Sequence, residues 1–262
     1  MSDEQPEDLW LFGYGSLIWK PPPHYDLRVP GYIEGYVRRF WQVNPPSPLR
    51  PKAVPPLTPL SQDHRGTPSH PGRVVTLISR HLWETLTDSH PSAPSRVWGA
   101  AYRIPARHVA EVKRYLDIRE INGYSIQYTP FTAPPPQKPR DMTVHAAPST
   151  TTATADEIPP QIRCLVYIGL PENPQFLGPQ EPGPLAERIV RSRGPSGRNV
   201  EYLYGLERAL GELGVESGDE HVSDLARRAR EVEGGWRERG VEVEFLQSEE
   251  EVEEARTAGV VG

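Results

Sequence analysis

The chain reads as an α+β domain built around a curved or closed sheet, not as a doubly wound parallel one. Strand-like segments dominate its first two thirds and helical patterns its last third, an order that segregates the two element types. They do not alternate as βαβ units would, and no internal repeat is visible. Residues 9–14 begin with Leu9-Trp10-Leu11-Phe12, an apolar run of strand length that enters the turn Gly13-Tyr14-Gly15-Ser16. Residues 31–43 are aromatic and β-branched and predict one or two strands. Residues 73–78 and 97–104 predict two more. Pro105 then stands where a helix takes its first residue, and 106–117 follow as that helix. Strands are expected at 123–128 and 163–168, helices at 185–191 and 201–213, and a strongly charged outer helix at 219–239.

A length of 262 residues is ample for a real core, and the net charge is −6. Lysine and arginine are not pooled into one block, so nothing points to a nucleic-acid surface. No apolar run is long enough to span a membrane. The start, Met1-Ser2-Asp3-Glu4-Gln5-Pro6-Glu7-Asp8, is acidic and lacks the pattern of a secretory signal. Cys164 is the only cysteine, which excludes an intrachain disulfide and a thiolate metal site. A cytoplasmic protein is the expectation.

Proline is the anomaly. There are 31, roughly twice the usual share of about 5%. They cluster within 45–62, around Pro91 and Pro94 in the 80–96 stretch, and within 132–160, which holds Pro134-Pro135-Pro136. Such segments build neither sheet interior nor helix. They read as extended or disordered surface insertions between core elements of a single 9–240 domain. Residues 241–262, with the run Glu249-Glu250-Glu251, read as a solvated C-terminal extension.

Two features carry chemistry. The glycines of the Gly13-Tyr14-Gly15-Ser16 turn allow close approach to the main chain. Successive amides in such a turn can converge on an anionic or carbonyl oxygen; the alternative is an ordinary turn between strands. The second feature is Glu120. The stripe Val109, Val112, Leu116 steps by three and four residues along one helix face, and Glu120 is its next position. A carboxylate continuing an inward stripe is costly unless it is paired or used, and burial would raise its pKa toward that of a proton shuttle. The alternative is that the helix stops near Asp117 and Glu120 faces water or pairs with Arg114 or Arg119.

Other candidates are weaker. The histidines, at 24, 64, 70, 81, 90, 108, 145 and 221, show no pair at metal-ligand spacing, so no metal site is expected. Asp63-His64 suits local capping better than acid–base work. Ser16 lacks the Gly-x-Ser-x-Gly setting of a hydrolase nucleophile. Gly13 and Gly15 match only half of a dinucleotide loop. Gly194-Pro195-Ser196-Gly197 opens a helix near Asn199, where helix capping is favoured over anion binding.

Several separated stretches together resemble one family. They are Phe12-Gly13-Tyr14-Gly15-Ser16-Leu17-Ile18-Trp19, Gly35-Tyr36-Val37-Arg38-Arg39-Phe40-Trp41-Gln42, Asp63-His64-Arg65-Gly66-Thr67-Pro68 with Pro71-Gly72-Arg73-Val74-Val75-Thr76-Leu77, and Tyr115-Leu116-Asp117-Ile118-Arg119-Glu120 with Gly123-Tyr124. Val166-Tyr167-Ile168, Asn173-Pro174 with Leu177-Gly178-Pro179, and Gly194-Pro195-Ser196-Gly197 with Asn199 and Glu201-Tyr202-Leu203 continue the match. In order and number they resemble the ChaC-like, glutathione-specific γ-glutamylcyclotransferases over about residues 9–214.

The resemblance implies a small mixed or antiparallel β-barrel with flanking helices. It implies cleavage of glutathione to 5-oxoproline and cysteinylglycine, with no cofactor and no metal. By analogy Glu120 is the general acid/base, and Leu11, Phe12, Gly13, Tyr14, Gly15, Ser16 and Leu17 hold the γ-glutamyl group, with Tyr167 lining the same pocket. The partner is the small-molecule substrate, not nucleic acid or membrane; the oligomeric state is left open. Competing readings are a cyclotransferase for other γ-glutamyl amines or amino acids, and a non-catalytic protein offering its proline-rich segments to SH3- or WW-type domains.

Overall fold

The structure, a computed structural model, describes residues 7–44, 65–67, 71–119, 124–134 and 161–240. The apolar run at the start forms β1 (Leu9–Gly13), followed by a 3₁₀ turn at Ser16–Ile18. The aromatic stretch resolves into two strands, β2 (Leu27–Glu34) and β3 (Tyr36–Asn44). Gly35 between them has φ +83°, a left-handed corner that glycine takes without a Cβ clash. It sends the chain from one sheet into another. β4 (Gly72–Ser79) leads into a single turn, α1 (Arg80–Trp83), and then β5 (Arg96–Ile104). A 3₁₀ turn at Ala106–His108 opens α2 (Val109–Arg119). Pro105 sits one place earlier than expected, at the cap of that turn with extended ψ, because the 3₁₀ turn takes up the first helical positions. β6 (Tyr124–Phe131) and β7 (Ile162–Gly169) follow, then α3 (Pro182–Arg191), the short hairpin of β8 (Arg193–Gly194) and β9 (Gly197–Arg198), α4 (Asn199–Leu213) and α5 (Glu220–Glu238).

Five strands pair in the order β2-β5-β1-β7-β6. All neighbours are antiparallel except β1 and β7, which run parallel through Leu11 and Leu165. Pro30 and Pro130 lie in the two outer strands, where a missing amide does not break an interior ladder. Those outer strands approach each other at one antiparallel bridge, in which Tyr32 and Thr132 exchange both backbone hydrogen bonds at 3.0 and 2.9 Å. β3 and β4 form a separate two-stranded sheet. The architecture is α+β; strand pairing among the described residues does not close into a barrel.

Side-chain alternation assigns the two faces of the central sheet. Phe12, Ala101, Val166 and Ile168 face the main core, which Phe40, Val75 and Leu77 share with Leu185, Ile189, Leu203, Leu206, Leu225 and Ala229 of the last three helices. Leu9, Leu11, Ala100, Tyr102, Leu165 and Tyr167 face the other way, under Val112 and Leu116 of α2. The charged helix expected at 219–239 thus has an apolar stripe as well: Val222, Leu225, Ala226 and Ala229 are fully buried. Its docking is also polar. The Phe40 amide donates to Nε2 of His221 at 3.0 Å, so the proton of that ring sits on Nδ1, which faces Nδ1 of His90 at 3.1 Å. His90 Nε2 in turn meets Asp224 at 2.9 Å.

The 84–95 segment has a structural task. Asp88 accepts from Arg39 at 2.6 Å and from the Trp83 indole at 2.7 Å. The carbonyls of His90 and Ser92 both accept from Nη2 of Arg39, and its Nη1 donates to the Arg38 carbonyl.

Gly99 fixes the approach of β5 to β1. A Cβ there would lie 2.3 Å from the Gly13 carbonyl oxygen and 2.6 Å from the Phe12 ring. Gly99→Ala should therefore overpack the sheet centre and cost about 1–3 kcal/mol. It would be read as a lower urea midpoint at unchanged slope; an unshifted midpoint would contradict the packing described.

Candidate functional site

β1 lies at the centre of the five-stranded sheet, and its C-terminal end delivers residues 13–17 into the interior. Leu11, Phe12, Gly13, Tyr14, Gly15 and Leu17 are buried and Ser16 is half-buried. The turn is held from both faces of the sheet. On one side the Tyr102 hydroxyl donates to the Leu17 carbonyl at 2.7 Å, and Leu17 packs with Leu11, Tyr167, Val112 and Leu116. On the other, Trp19 meets the Tyr202 ring edge-on at 5.5 Å, and Tyr14 packs in the main core.

Space is tight at both glycines, most of all at Gly13. A Cβ on Gly13 would fall 2.6 Å from Cβ of Leu17, and one on Gly15 would fall 3.0 Å from both the Tyr202 hydroxyl and Val75. The 3₁₀ turn is closed by Ile18 donating to the Gly15 carbonyl at 2.9 Å and Lys20 donating to that of Ser16 at 2.8 Å. The Gly15 and Leu17 amides precede the first hydrogen bond of this 3₁₀ turn, where the N–H groups of a helical start have no partner within the turn. Amides at the start of such a turn are the groups from which an oxygen-binding cradle is made.

A positive charge stands behind this turn. Arg38, on β3, is 2% exposed, donates to Asp219 at 3.3 Å and also to the Trp98 carbonyl. Burial pulls its pKa down, while Asp219, Tyr202 and Tyr14 act in the opposite direction. Tyr14 and Tyr202 are therefore within electrostatic reach of a buried guanidinium. Sequence reasoning did not single out Arg38, yet the signal was present. Two consecutive arginines in a strand point to opposite faces, so Arg38-Arg39 must send at least one inward; both are buried.

The structure brings Leu11, Leu17 and Tyr167 into one cluster with α2 and puts Phe12 and Tyr14 on the opposite side of β1. α2 ends at Arg119; Glu120 lies outside the described residues, as do Asp63 and His64. Of the stripe that leads to it, Val112 and Leu116 are fully buried and Val109 half-buried. Cys164 is buried and its thiol is pushed far up by burial, which suits packing and not nucleophilic work. The Gly194–Gly197 turn closes the β8–β9 hairpin. There the carboxylate of Glu201 accepts from the Arg198 amide at 3.2 Å and from Arg65 at 3.1 Å. Asn199 caps nothing and bonds the Arg73 amide and carbonyl at 2.7 and 2.8 Å.

Spacing among the histidines gave no metal site, but His24, His108 and Glu111 place one ligand atom each within 4.8 Å of one another. His24 and Glu111 are 87 residues apart in sequence, so only folding assembles them.

The sequence profile of ChaC-like proteins matches residues 9–47 and 57–233. A glutathione-specific γ-glutamylcyclotransferase of Schizosaccharomyces pombe is 40% identical over 223 residues, covering 85% of this chain and 92% of the relative. The human glutathione-specific γ-glutamylcyclotransferase 1 is 33% identical over 227 residues, covering 86% and 79%. The crystal structure of a glutathione-specific γ-glutamylcyclotransferase from yeast superposes with a TM-score of 0.64 at 32% identity, covering 86% of this chain and 96% of that one. The order β2-β5-β1-β7-β6, the buried glycine turn at its centre and these likenesses agree: the chain belongs to the ChaC-like protein family.

Proposed function

We propose that this protein cleaves glutathione to 5-oxoproline and cysteinylglycine. The observation that carries the reading is the buried Gly13–Leu17 turn, whose Gly15 and Leu17 amides stand at the start of a 3₁₀ turn, with α2 packed on the cluster that holds Leu11, Leu17 and Tyr167. The α-amine of the γ-glutamyl group attacks its own γ-amide carbonyl. A C–N bond of the five-membered ring forms, and the amide bond to the cysteinyl nitrogen breaks. Both reacting groups belong to one molecule, so the protein has mainly to hold the right conformer. Residues 11–17 hold the γ-glutamyl moiety, and the turn amides meet the negative charge that grows on the carbonyl oxygen. Such a donor is worth about 3–4 kcal/mol of barrier. Glu120 takes the proton from the attacking ammonium and returns one to the leaving amine. Tyr167 lines the pocket from β7. No step calls for a metal or an organic cofactor.

The finer fold description, a small barrel, rests on the Tyr32–Thr132 bridge between the outer strands of the central sheet. We read residues 9–240 as one domain with proline-rich insertions at 45–62, 80–96 and 132–160 and a C-terminal extension at 241–262. We read the location as cytoplasmic, a reading that the single cysteine, with no disulfide within the chain, supports. No helix among the described residues is long and apolar enough to cross a membrane.

The test is incubation with glutathione and mass spectrometry of the products. Equimolar 5-oxoproline and cysteinylglycine are expected. Supplying γ-glutamyl amino acids as competitors separates substrates: their cyclisation in place of glutathione would move the assignment to other γ-glutamyl compounds, and no 5-oxoproline from any of them would end it.

A further inference from the structure

We propose that His24, His108 and Glu111 form a binding site for a first-row divalent cation of the zinc type, outside the glycine-turn site. His24 follows Pro21-Pro22-Pro23, a run in which each ring fixes φ. Its own φ of 60° is the only positive value at a non-glycine among the described residues. That conformation is uncommon outside glycine, asparagine, aspartate and histidine. His108 ends the 3₁₀ turn before α2, and Glu111 follows by three residues, which puts both on one face.

The three side chains already converge. Glu111 divides its two oxygens between the rings: Oε1 lies 3.1 Å from Nε2 of His24 and Oε2 lies 3.8 Å from Nδ1 of His108. The imidazoles stack with centroids 4.3 Å apart and planes 8° from parallel. Atoms bound about 2.0–2.2 Å from a tetrahedral zinc stand about 3.4 Å from each other, so to seat an ion the two rings would turn out of their stack until both nitrogen lone pairs point at it. Two nitrogens and one carboxylate oxygen favour zinc, nickel or copper over magnesium and calcium, which take oxygen ligands. Three protein ligands leave a coordination position for water.

The neighbour to be displaced is Arg107, whose Nε donates to Nε2 of His108 at 3.1 Å. That bond makes Nε2 an acceptor and puts the ring proton on Nδ1, toward Glu111. Coordination through Nδ1 moves the proton to Nε2 and turns the exposed Arg107 side chain away. No proton is lost overall from that neutral ring. A bound ion would tie the segment after the Ser16–Ile18 turn to the entry of α2, so binding should also raise thermal stability.

The experiment uses the full, untagged chain and zinc chloride alone, with calorimetric titration and thermal unfolding at about pH 7.5 and about pH 5.5. One equivalent should bind and raise Tm at the higher pH. Both effects should be weaker at the lower one, because protons compete with a metal for imidazole nitrogen. Even an outer partner of a metal ligand is worth about 10–100-fold in affinity, so His24→Asn and Glu111→Gln should each weaken zinc by at least about 100-fold. Asparagine tolerates the left-handed backbone, and circular dichroism without metal checks that both variants fold. Cobalt(II) gives a second readout in its visible spectrum, which His108→Gln should abolish. Absence of binding to the wild-type chain, or binding that survives in either of the two titrated variants, overturns the three-ligand site.

Discussion

Replacing Glu120 by glutamine is expected to lower kcat for glutathione by about 10²–10⁴-fold, the range that a positioned general acid/base supplies. Glutamine keeps the shape and can still hydrogen-bond, but it cannot take the proton that blocks the α-amine. The expectation rests on direction as well as chemistry. Val112 and Leu116 are fully buried on the α2 face whose next position is Glu120, and that face packs against Leu11, Leu17 and Tyr167. Product formation at saturating glutathione gives kcat, and far-UV circular dichroism with thermal unfolding shows whether the fold is kept. A folded Glu120→Gln enzyme with near wild-type turnover removes Glu120 from the mechanism and leaves the family assignment standing.

Arg38→Met should cost about 3–5 kcal/mol of stability, the penalty for stranding the partner of a buried ion pair. Arg38 and Asp219 are 2% and 5% exposed and meet at 3.3 Å. Asp219 also caps α5, accepting from the Val222 amide at 3.3 Å, so its unpaired charge would sit where the last helix begins. Removing both charges should be milder than removing one. In Arg38→Met/Asp219→Asn the carboxylate is gone and the cap survives, so part of the loss is recovered. Urea unfolding of the single variants and the double variant gives the coupling directly. A single-variant loss below about 1 kcal/mol would put this pair in the class of weak surface bridges. The same substitution withdraws the positive charge near Tyr14 and Tyr202, so kcat/KM for glutathione should fall in protein that remains folded.

Much of the fold was legible in the chain because it is written in short-range patterns. The run Leu9-Trp10-Leu11-Phe12 has the length and composition of a buried strand, the Gly13/Gly15 pair marks a tight turn, and the stripe Val109, Val112, Leu116 gives α2 its inward face. The last three helices were readable in the same way. Local patterns were less informative about tasks. The proline-bearing 80–96 stretch reads as filler by composition, yet Asp88 and the carbonyls of His90 and Ser92 satisfy Arg39. The 219–239 helix reads as an outer charged rod, yet four of its residues are fully buried.

The sequence by itself determined where strands and helices form, where the chain must turn through glycine, and which family the chain resembles, since hydrogen-bonding propensity and hydrophobic period act over a few neighbouring residues. Only the tertiary structure decided the order β2-β5-β1-β7-β6 with its one parallel pair, the burial of Arg38 against Asp219 across 181 positions, and the meeting of His24 with Glu111. Those arrangements depend on sheet register and helix docking, where a shift of one residue turns a side chain to the opposite face.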